Sequence, residues 1–229
     1  MLAITTQAKK HEYSKMNNWA GPRNLIHKLL HIKAIPLRQG PNGPFIFIHI
    51  NKTAGTSMGK AIGLPLKGHL TAQEVIARIG RDKWNSAFTF TLVRNPWDKV
   101  VSHYEYRRRK NKTEISTRNI RFHEWVKMTY GEDKDPFYYN NPRSFQPQID
   151  WLKDKEGNIS IDFVGKFETI TKDFKHIKHM IGLDTELSHL NASPRGAYQS
   201  YYDDETEDIV TRWFHEDIEL FGYRFLINA

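Results

Sequence analysis

The segment PFIFIHINKTAGTS, residues 44–57, decides how the rest of the chain is interpreted. Its first half, PFIFIHI, is a continuous run of β-branched and aromatic residues, which is typical of a buried strand in a parallel sheet. Its second half is polar, contains Gly55 and leads into SMGKAIG, which predicts a tight loop opening a short helix. Because the first backbone N–H groups of a helix lack partners, a loop in this place can cradle a phosphate group.

The order of strand, loop and helix recurs twice further along the chain. AFTFTLVR (87–94) predicts a second buried strand, and the Asn95–Pro96 pair separates it from a helix over WDKVVSHYEYRRRK (97–110). IDFVGKFE (161–168) predicts a third strand, followed by a helix that ends at Gly182. Strands alternating with helices predict an α/β fold: a single domain whose largely parallel central sheet is flanked by helices and carries a P-loop-like phosphate-binding loop.

Shorter patterns fill the remaining segments. LPLKGH (64–69) predicts a short strand, and the next segment places Thr71 and Glu74 at the spacing of a helix capping box. A last helix is expected from Asp204 to Phe221, because apolar residues recur there on one side and Gly222 follows.

The chain divides by composition into an extension and a domain. Residues 1–43 are predicted to be an N-terminal extension with a helical turn or two over LIHKLLHI (25–32), and residues 44–229 the main domain. Residues 111–150 are polar and interrupted by prolines, so they are predicted to form an insertion on the substrate side of the domain.

Composition excludes several classes of protein. The 229 residues are 39% hydrophobic and 13% aromatic, which excludes a polar disordered chain. The formal charge of +8 favours anionic partners. The absence of cysteine excludes disulfides, a thiolate nucleophile and cysteine-based zinc sites. No apolar run is long enough for a membrane span or a secretory signal, so a cytoplasmic protein is expected.

A second polar constellation follows the second predicted strand. Arg94 ends that strand, and Ser102 lies about two turns into the following helix, so both can face one anion. In open α/β sheets ligands collect at the carboxyl ends of the strands, where Lys52 also lies. The simpler interpretation of the first loop is an ordinary helix start capped by threonine or serine.

Two segments resemble the PAPS-dependent sulfotransferases, which use 3′-phosphoadenosine 5′-phosphosulfate (PAPS) as donor. FIHINKTAGTS is similar to the 5′-phosphosulfate loop F-x-H-x-P-K-T-[GA]-G-T-S, and LVRNPWDKVVSHY resembles the 3′-phosphate motif. The ending DIELFGYRF is also similar. The resemblance is to the carbohydrate branch, which includes heparan sulfate 2-O-sulfotransferase and bacterial relatives. Two positions depart from the pattern: Asn51 replaces the usual proline, and Lys99 a frequent arginine.

The resemblance implies roles for individual residues. Lys52 would contact the leaving phosphate and the bridging oxygen, and Arg94 and Ser102 would hold the 3′-phosphate, with Arg195 as a second-rank candidate. The product would be adenosine 3′,5′-bisphosphate, and no metal is expected. The 5′-phosphosulfate would be held by the loop residues Lys52, Thr53, Ala54, Gly55, Thr56 and Ser57.

The transfer to a hydroxyl calls for a general base. In the family this base is a histidine or glutamate after the first helix, and His69 matches that place. Glu74 is the weaker alternative because the capping box already explains it. His49 lies within the strand, where a structural histidine is expected, and His103 and His123 have no special context.

The acceptor is expected to be a hydroxyl-bearing molecule, in particular a glycan. The insertion and the preceding helix carry basic and aromatic side chains that suit an acidic acceptor, although such a run is usually a solvated face. The pair His176 and His179 has helical spacing for a metal but lacks a third ligand. The candidate acceptor contacts are Arg107 to Lys110, Arg118, Arg121, Arg143, Tyr138 and Tyr139.

Other functions remain open at this level. A P-loop-type nucleotide phosphotransferase needs Mg²⁺ and a lysine after the glycine, whereas Lys52 precedes Gly55. A basic nucleic-acid-binding protein would use the RRRK run and the aromatic residues, but no nucleic-acid motif supports it and no nucleic-acid partner is expected. A catalytically inactive, glycan-binding relative is a further alternative.

Overall fold

The computed structural model describes residues 36–64, 68–187 and 195–225. In these ranges the sheet has four strands in the order β1-β2-β3-β4. The first strand runs antiparallel to the second, whereas the other three are parallel. The strands are β1 (Leu37–Gly40), β2 (Gly43–Ile48), β3 (Phe88–Val93) and β4 (Phe163–Lys166).

Helices cover both faces of the sheet, which confirms the α/β prediction. The capping box predicted at Thr71 and Glu74 is present at the start of the second helix. The helices are α1 (Gly55–Ala61), α2 (Ala72–Ile79), α3 (Arg81–Asn85), α4 (Pro96–Arg109), α5 (Phe122–Tyr130), α6 (Pro142–Phe145), α7 (Ile170–Ile181), α8 (Asp204–Trp213) and α9 (His215–Phe221). Short 3₁₀ turns lie at Lys112–Glu114, Ile149–Trp151, Phe167–Thr169 and Tyr198–Tyr201.

Alternate residues of β2 face two different cores. Ile46 and Ile48 pack into the larger cluster, which includes residues of α4, α5 and α8. Phe45 and Phe47 pack into the smaller cluster with residues of α1 and α7. A strand buried on both faces has no polar side, which explains the continuous apolar run in the sequence.

Three sequence predictions need correction. The strand β1 lies within the segment predicted as an extension, so the sheet begins before Pro44. The predicted last helix is two helices, because Phe214, which is fully buried, leaves helical geometry with φ −109° and ψ 24°. Leu64, Gly68 and His69 are not in a strand, and residues 65–67, like the turn predicted over 25–32, lie outside the described residues.

The segment 111–150 is more ordered than its sequence predicts. Its aromatic residues Trp125 and Phe145 are fully buried in the larger core cluster. The segment therefore forms part of the domain core as well as part of its surface. No helix in the described residues is long and apolar enough to cross a membrane.

Candidate active site

The loop between β2 and α1 is tightly wound. Lys52 and Ala54 adopt left-handed backbone geometry, with φ 68° and 65°, and the amides of Ser57 and Met58 both donate to the Ala54 carbonyl. Gly55 lets the His49 ring lie close to the backbone at the start of α1, because a β-carbon on residue 55 would lie 1.8 Å from Cδ2 of His49. The glycine is therefore required by the packing of the histidine ring against the start of α1.

This loop borders a cleft of about 1140 Å³. Since β2 and β3 are parallel neighbours, their carboxyl ends bring the Lys52 loop and Arg94 to the same side of the sheet. Among the residues predicted to bind the donor or to catalyse its reaction as first choice, Thr53 alone does not line the cleft: its side chain is fully buried and donates to the Ile50 carbonyl at 3.0 Å. The predicted residues that do line it are Lys52, Ala54, Gly55, Thr56, Ser57, His69, Arg94, Ser102 and Arg195.

Arg94 is held from several sides. Its guanidinium donates from Nε to Oδ2 of Asp98 at 2.7 Å and from Nη1 to the Lys52 carbonyl at 3.1 Å. It also lies over the Phe167 ring, 3.9 Å from the centroid. Its backbone amide and carbonyl both bond to the side chain of Gln148. Arg94 is thus a preorganised cation at the floor of the cleft.

Asp98 links Arg94 to a second arginine. Its Oδ1 accepts a hydrogen bond from Nη2 of Arg195, while Oδ2 faces Arg94. Nη1 of Arg195 is buried without a hydrogen-bond partner among the described residues. Two guanidinium groups that share one carboxylate, with one buried donor left over, fit a bound anion such as a phosphate group.

Lys52 lies close to these arginines. Burial and, to a lesser degree, the positive charges of Arg94, Arg109 and Arg195 together lower the pKa of its ammonium group to about 8. Its Nζ lies 4.5 Å from the centroid of the Tyr106 ring. An anion placed here would relieve the repulsion between these cations, so this part of the cleft suits a polyanion.

His69 and His49 face each other at the cleft. Their ring centroids are 4.3 Å apart, and Nδ1 of His69 lies 3.0 Å from the His49 backbone oxygen. A carbonyl oxygen only accepts, so Nδ1 carries the proton in this contact and Nε2 of the neutral ring keeps its lone pair. Burial and the neighbouring His69 lower the pKa of His49 to about 3, so its ring is neutral.

Both carboxylate oxygens of Glu74, the alternative base, already accept hydrogen bonds from other residues. It completes the capping box with Thr71, and its two oxygens accept from both terminal nitrogens of Arg143 at 3.1 and 2.6 Å. Burial acts to raise the pKa of Glu74, but the hydrogen bonds from Thr71 and Arg143 leave it below the usual value. Neither Glu74, the alternative base, nor Arg143, a predicted acceptor contact, lines the cleft.

Two of the other residues predicted to contact the acceptor line the cleft, whereas Arg108, Lys110, Arg118, Arg121, Tyr138 and Tyr139 do not. Arg107 and Arg109 line the cleft. Arg118 pairs with Glu114, Arg121 lies near Glu124, and Tyr138 is buried in the core. The ring of His176 packs 4.5 Å from that of Phe163, and the described residues contain no group of three or more potential metal ligands.

Sequence reasoning missed several cleft residues. Asp98 lies four positions after Arg94 on the first turn of α4, so helical spacing could have revealed it. The buried Lys99 does not line the cleft, and its Nζ lies 5.1 Å from the centroid of the Phe214 ring. The missed residues come from scattered parts of the chain and include His103, Tyr106, Lys112, Thr113, Asn140, Asn141, Ser144, Phe167, Ala197, Tyr198 and Gln199.

Comparison with known proteins assigns the family. Residues 38–224 match the sequence profile described as "Sulfotransferase family". The chain belongs to the sulfotransferase family. The match covers every site residue described above, from the Lys52 loop to Arg195.

Two individual similarities accompany this sulfotransferase match. An uncharacterized protein of Archaeoglobus fulgidus is 31% identical over 110 residues, which is 48% of this chain and 80% of that protein. A crystal structure of a sulfotransferase from Alicyclobacillus acidocaldarius aligns with a TM-score of 0.37 and 16% identity. That alignment covers 67% of this chain and 61% of the solved one.

Proposed function

We propose that this sulfotransferase moves a sulfuryl group from PAPS to a hydroxyl, with a carbohydrate as acceptor. The observation that carries the proposal is the meeting of Lys52, Arg94, Arg195 and His69 in one cleft at the carboxyl ends of two parallel strands. The first three supply positive charge for a donor with phosphate groups at both ends. The fourth supplies a proton acceptor.

Arg94 and Arg195 are proposed to hold the 3′-phosphate together with the Ser102 hydroxyl. The buried Nη1 of Arg195 gives this phosphate a donor that no other described group uses. The hydroxyls of Thr56 and Ser57 and the amides at the start of α1 are proposed to hold the 5′-phosphosulfate, and Thr53 contributes only its backbone.

Lys52 and His69 are proposed to act on the transfer itself. PAPS supplies an activated sulfuryl group whose bond to the bridging phosphate oxygen breaks as the new sulfur–oxygen bond forms. The Lys52 ammonium stabilises the negative charge that develops on the leaving oxygen, an effect that is largest in the transition state. Nε2 of His69 accepts the proton of the attacking hydroxyl, so the products are a sulfate ester, adenosine 3′,5′-bisphosphate and protonated His69.

The acceptor is proposed to bind against the basic residues of the cleft that the donor does not use. Arg107, Arg109 and Lys112 line the cleft together with Asn140 and Asn141. Within the described residues Asp98 is the one carboxylate that lines the cleft, and it already faces two arginines. This charge distribution supports an acidic glycan over a neutral one.

The test is transfer of radiolabelled sulfur from PAPS, in chelator-treated buffer, to acidic polysaccharides, neutral oligosaccharides and tyrosine peptides. We expect transfer to an acidic glycan and a fall in kcat of about 10²–10⁴-fold for His69→Ala. Lys52→Ala should lower kcat more than it raises KM. His123→Ala, at an exposed histidine outside the cleft, is the matched control. Undiminished transfer by both site variants would reject the assigned roles.

A further inference from the structure

The short helix α6 lies between the two loops that carry the proposed catalytic residues. On one side Nη1 of Arg143 donates to the His69 backbone carbonyl at 3.0 Å. On the other side the Ser144 carbonyl accepts from Nδ2 of Asn51, next to Lys52, at 2.9 Å. One helical turn therefore contacts both loops.

The helix is fixed by its own buried residue. Phe145 is fully buried, and its ring lies 5.0 Å from that of His103, 5.7 Å from that of Tyr130 and 5.2 Å from that of Tyr139. Close-packed core side chains move little. The contacts made by the neighbouring residues Arg143 and Ser144 therefore hold the His69 loop and the Lys52 loop in fixed positions relative to the core.

The contact with His69 has a specific geometry. Nη1 of Arg143 is shared between the His69 carbonyl and Oε2 of Glu74, while Nη2 bonds to Oε1 of the same carboxylate at 2.6 Å. Oε2 also accepts from the Thr71 amide at 2.9 Å, so the carboxylate is anchored to the backbone two residues after His69. A planar guanidinium makes these bonds together, whereas a lysine ammonium does not match the fork.

The ion pair between Arg143 and Glu74 is too exposed to contribute much to the stability of the fold. The side chains of Arg143 and Glu74 are 45% and 32% exposed, and ion pairs of this kind contribute little to folding. Its geometric effect is more direct: it fixes the peptide of His69, whose ring then reaches the His49 carbonyl through Nδ1.

We infer that Arg143, held by Glu74, is a positioning residue that keeps His69 in the Nδ1–H tautomer with Nε2 facing the cleft. The inference deepens the proposed function, on which the role of His69 rests. It also assigns a role to Asn51, which stands where the family pattern has proline. The Asn51 side chain donates a hydrogen bond to α6, which a proline could not do because it has no side-chain amide.

The test reads the His69 tautomer directly by long-range ¹H–¹⁵N NMR of the histidine rings at roughly pH 8.5, well above the ordinary histidine pKa. The His69 signal is assigned from its loss in His69→Gln. Wild-type protein should show the Nδ1–H form. Arg143→Met and Arg143→Lys should both lose it in favour of Nε2–H or a mixture, whereas Arg118→Met, at another exposed arginine of the same segment, should keep it.

Binding of adenosine 3′,5′-bisphosphate, measured on the same samples, separates this inference from the proposed function. In the Arg143 variants its Kd should change less than about twofold, which also shows that they are folded. Retention of the Nδ1–H form in Arg143→Met, or its absence from the wild type, would overturn the inference. Failure of the wild type to bind the bisphosphate would instead reject the proposed function and leave the tautomer result standing.

Discussion

At the scale of single residues, Lys52 combines two features that usually exclude each other. It is partly buried among arginines, which disfavours its charge, yet the proposed chemistry needs that charge. A phosphosulfate bound as proposed would remove this conflict, because an anion beside the ammonium favours the protonated form. Ligand binding and protonation of Lys52 are therefore coupled.

This coupling predicts a pH dependence of binding. The pKa of Lys52 is about 8 in the free protein and rises when an anion binds, so binding takes up a proton above that pH. The affinity for adenosine 3′,5′-bisphosphate should fall as pH rises above 8, by up to about tenfold per unit, while the phosphate groups, with a pKa near 6, stay ionised. Calorimetric titration between roughly pH 7 and 9.5 measures it.

Two variants at the same position control this prediction. Lys52→Arg stays charged throughout this range, so its affinity should not fall. Lys52→Met should bind more weakly and show no slope. Burial also lowers the pKa of Lys99 to about 8, but Lys99 does not line the cleft. A slope that persists in Lys52→Met would assign the titration to another group.

At the scale of elements, the end of β3 is tied to the last helix through Gln148. The Gln148 side chain bonds to both the amide and the carbonyl of Arg94, at 2.9 and 2.8 Å. Asp217 on α9 accepts from the amides of Gln148 and Ile149, each at 2.8 Å. The break at Phe214 starts α9, the helix that carries Asp217. It therefore contributes to the position of Asp217, which holds Gln148 and through it the backbone of Arg94.

Removal of the Asp217 carboxylate should therefore destabilise the fold. Asp217 is fully buried, and Asp217→Ala leaves buried donors of Gln148 and Ile149 without an acceptor. We expect the free energy of unfolding to fall by about 1–3 kcal/mol in urea denaturation. Glu216→Ala, which breaks a surface pair with Lys153, should cost less than about 1 kcal/mol. Equal losses in the two variants would contradict this role of Asp217.

Elements with strong local patterns could be predicted from the sequence. The strands β2 and β3 are continuous apolar runs, and Thr71 and Glu74 carry a capping signal. The strand β1 could not be predicted, because LRQG has one apolar residue and is held by pairing with β2. The break at Phe214 has no glycine or proline to mark it, and packing of the buried ring accompanies it.

At the scale of the whole molecule, some residues of the site could be predicted from the sequence and others could not. Residues within the two motifs, such as Lys52 and Arg94, were predictable because local sequence places them at strand ends. The supporting contacts were not, because they join distant positions: 54 residues separate Gln148 from Arg94, and 74 separate Arg143 from His69. Such pairs arise only when the sheet and the segment 111–150 pack together.

This packing concentrates part of the positive charge of the chain, formally +8, at the cleft. Within the described part of the chain, six lysines and arginines line the cleft: Lys52, Arg94, Arg107, Arg109, Lys112 and Arg195. The match of the chain to the sulfotransferase family and the α/β sheet both agree with a nucleotide site at the strand ends. The central claim is that this cleft binds the PAPS nucleotide.

Calorimetric titration with adenosine 3′,5′-bisphosphate, without divalent metal, tests this claim most directly. We expect micromolar binding by the wild type and at least about tenfold weaker binding by Arg94→Ala, since a charged hydrogen bond contributes about 1.5–3 kcal/mol. Arg212→Ala, at a surface arginine paired with Asp208, should bind like the wild type. No binding by folded wild-type protein, or equal binding by Arg94→Ala, would contradict the account.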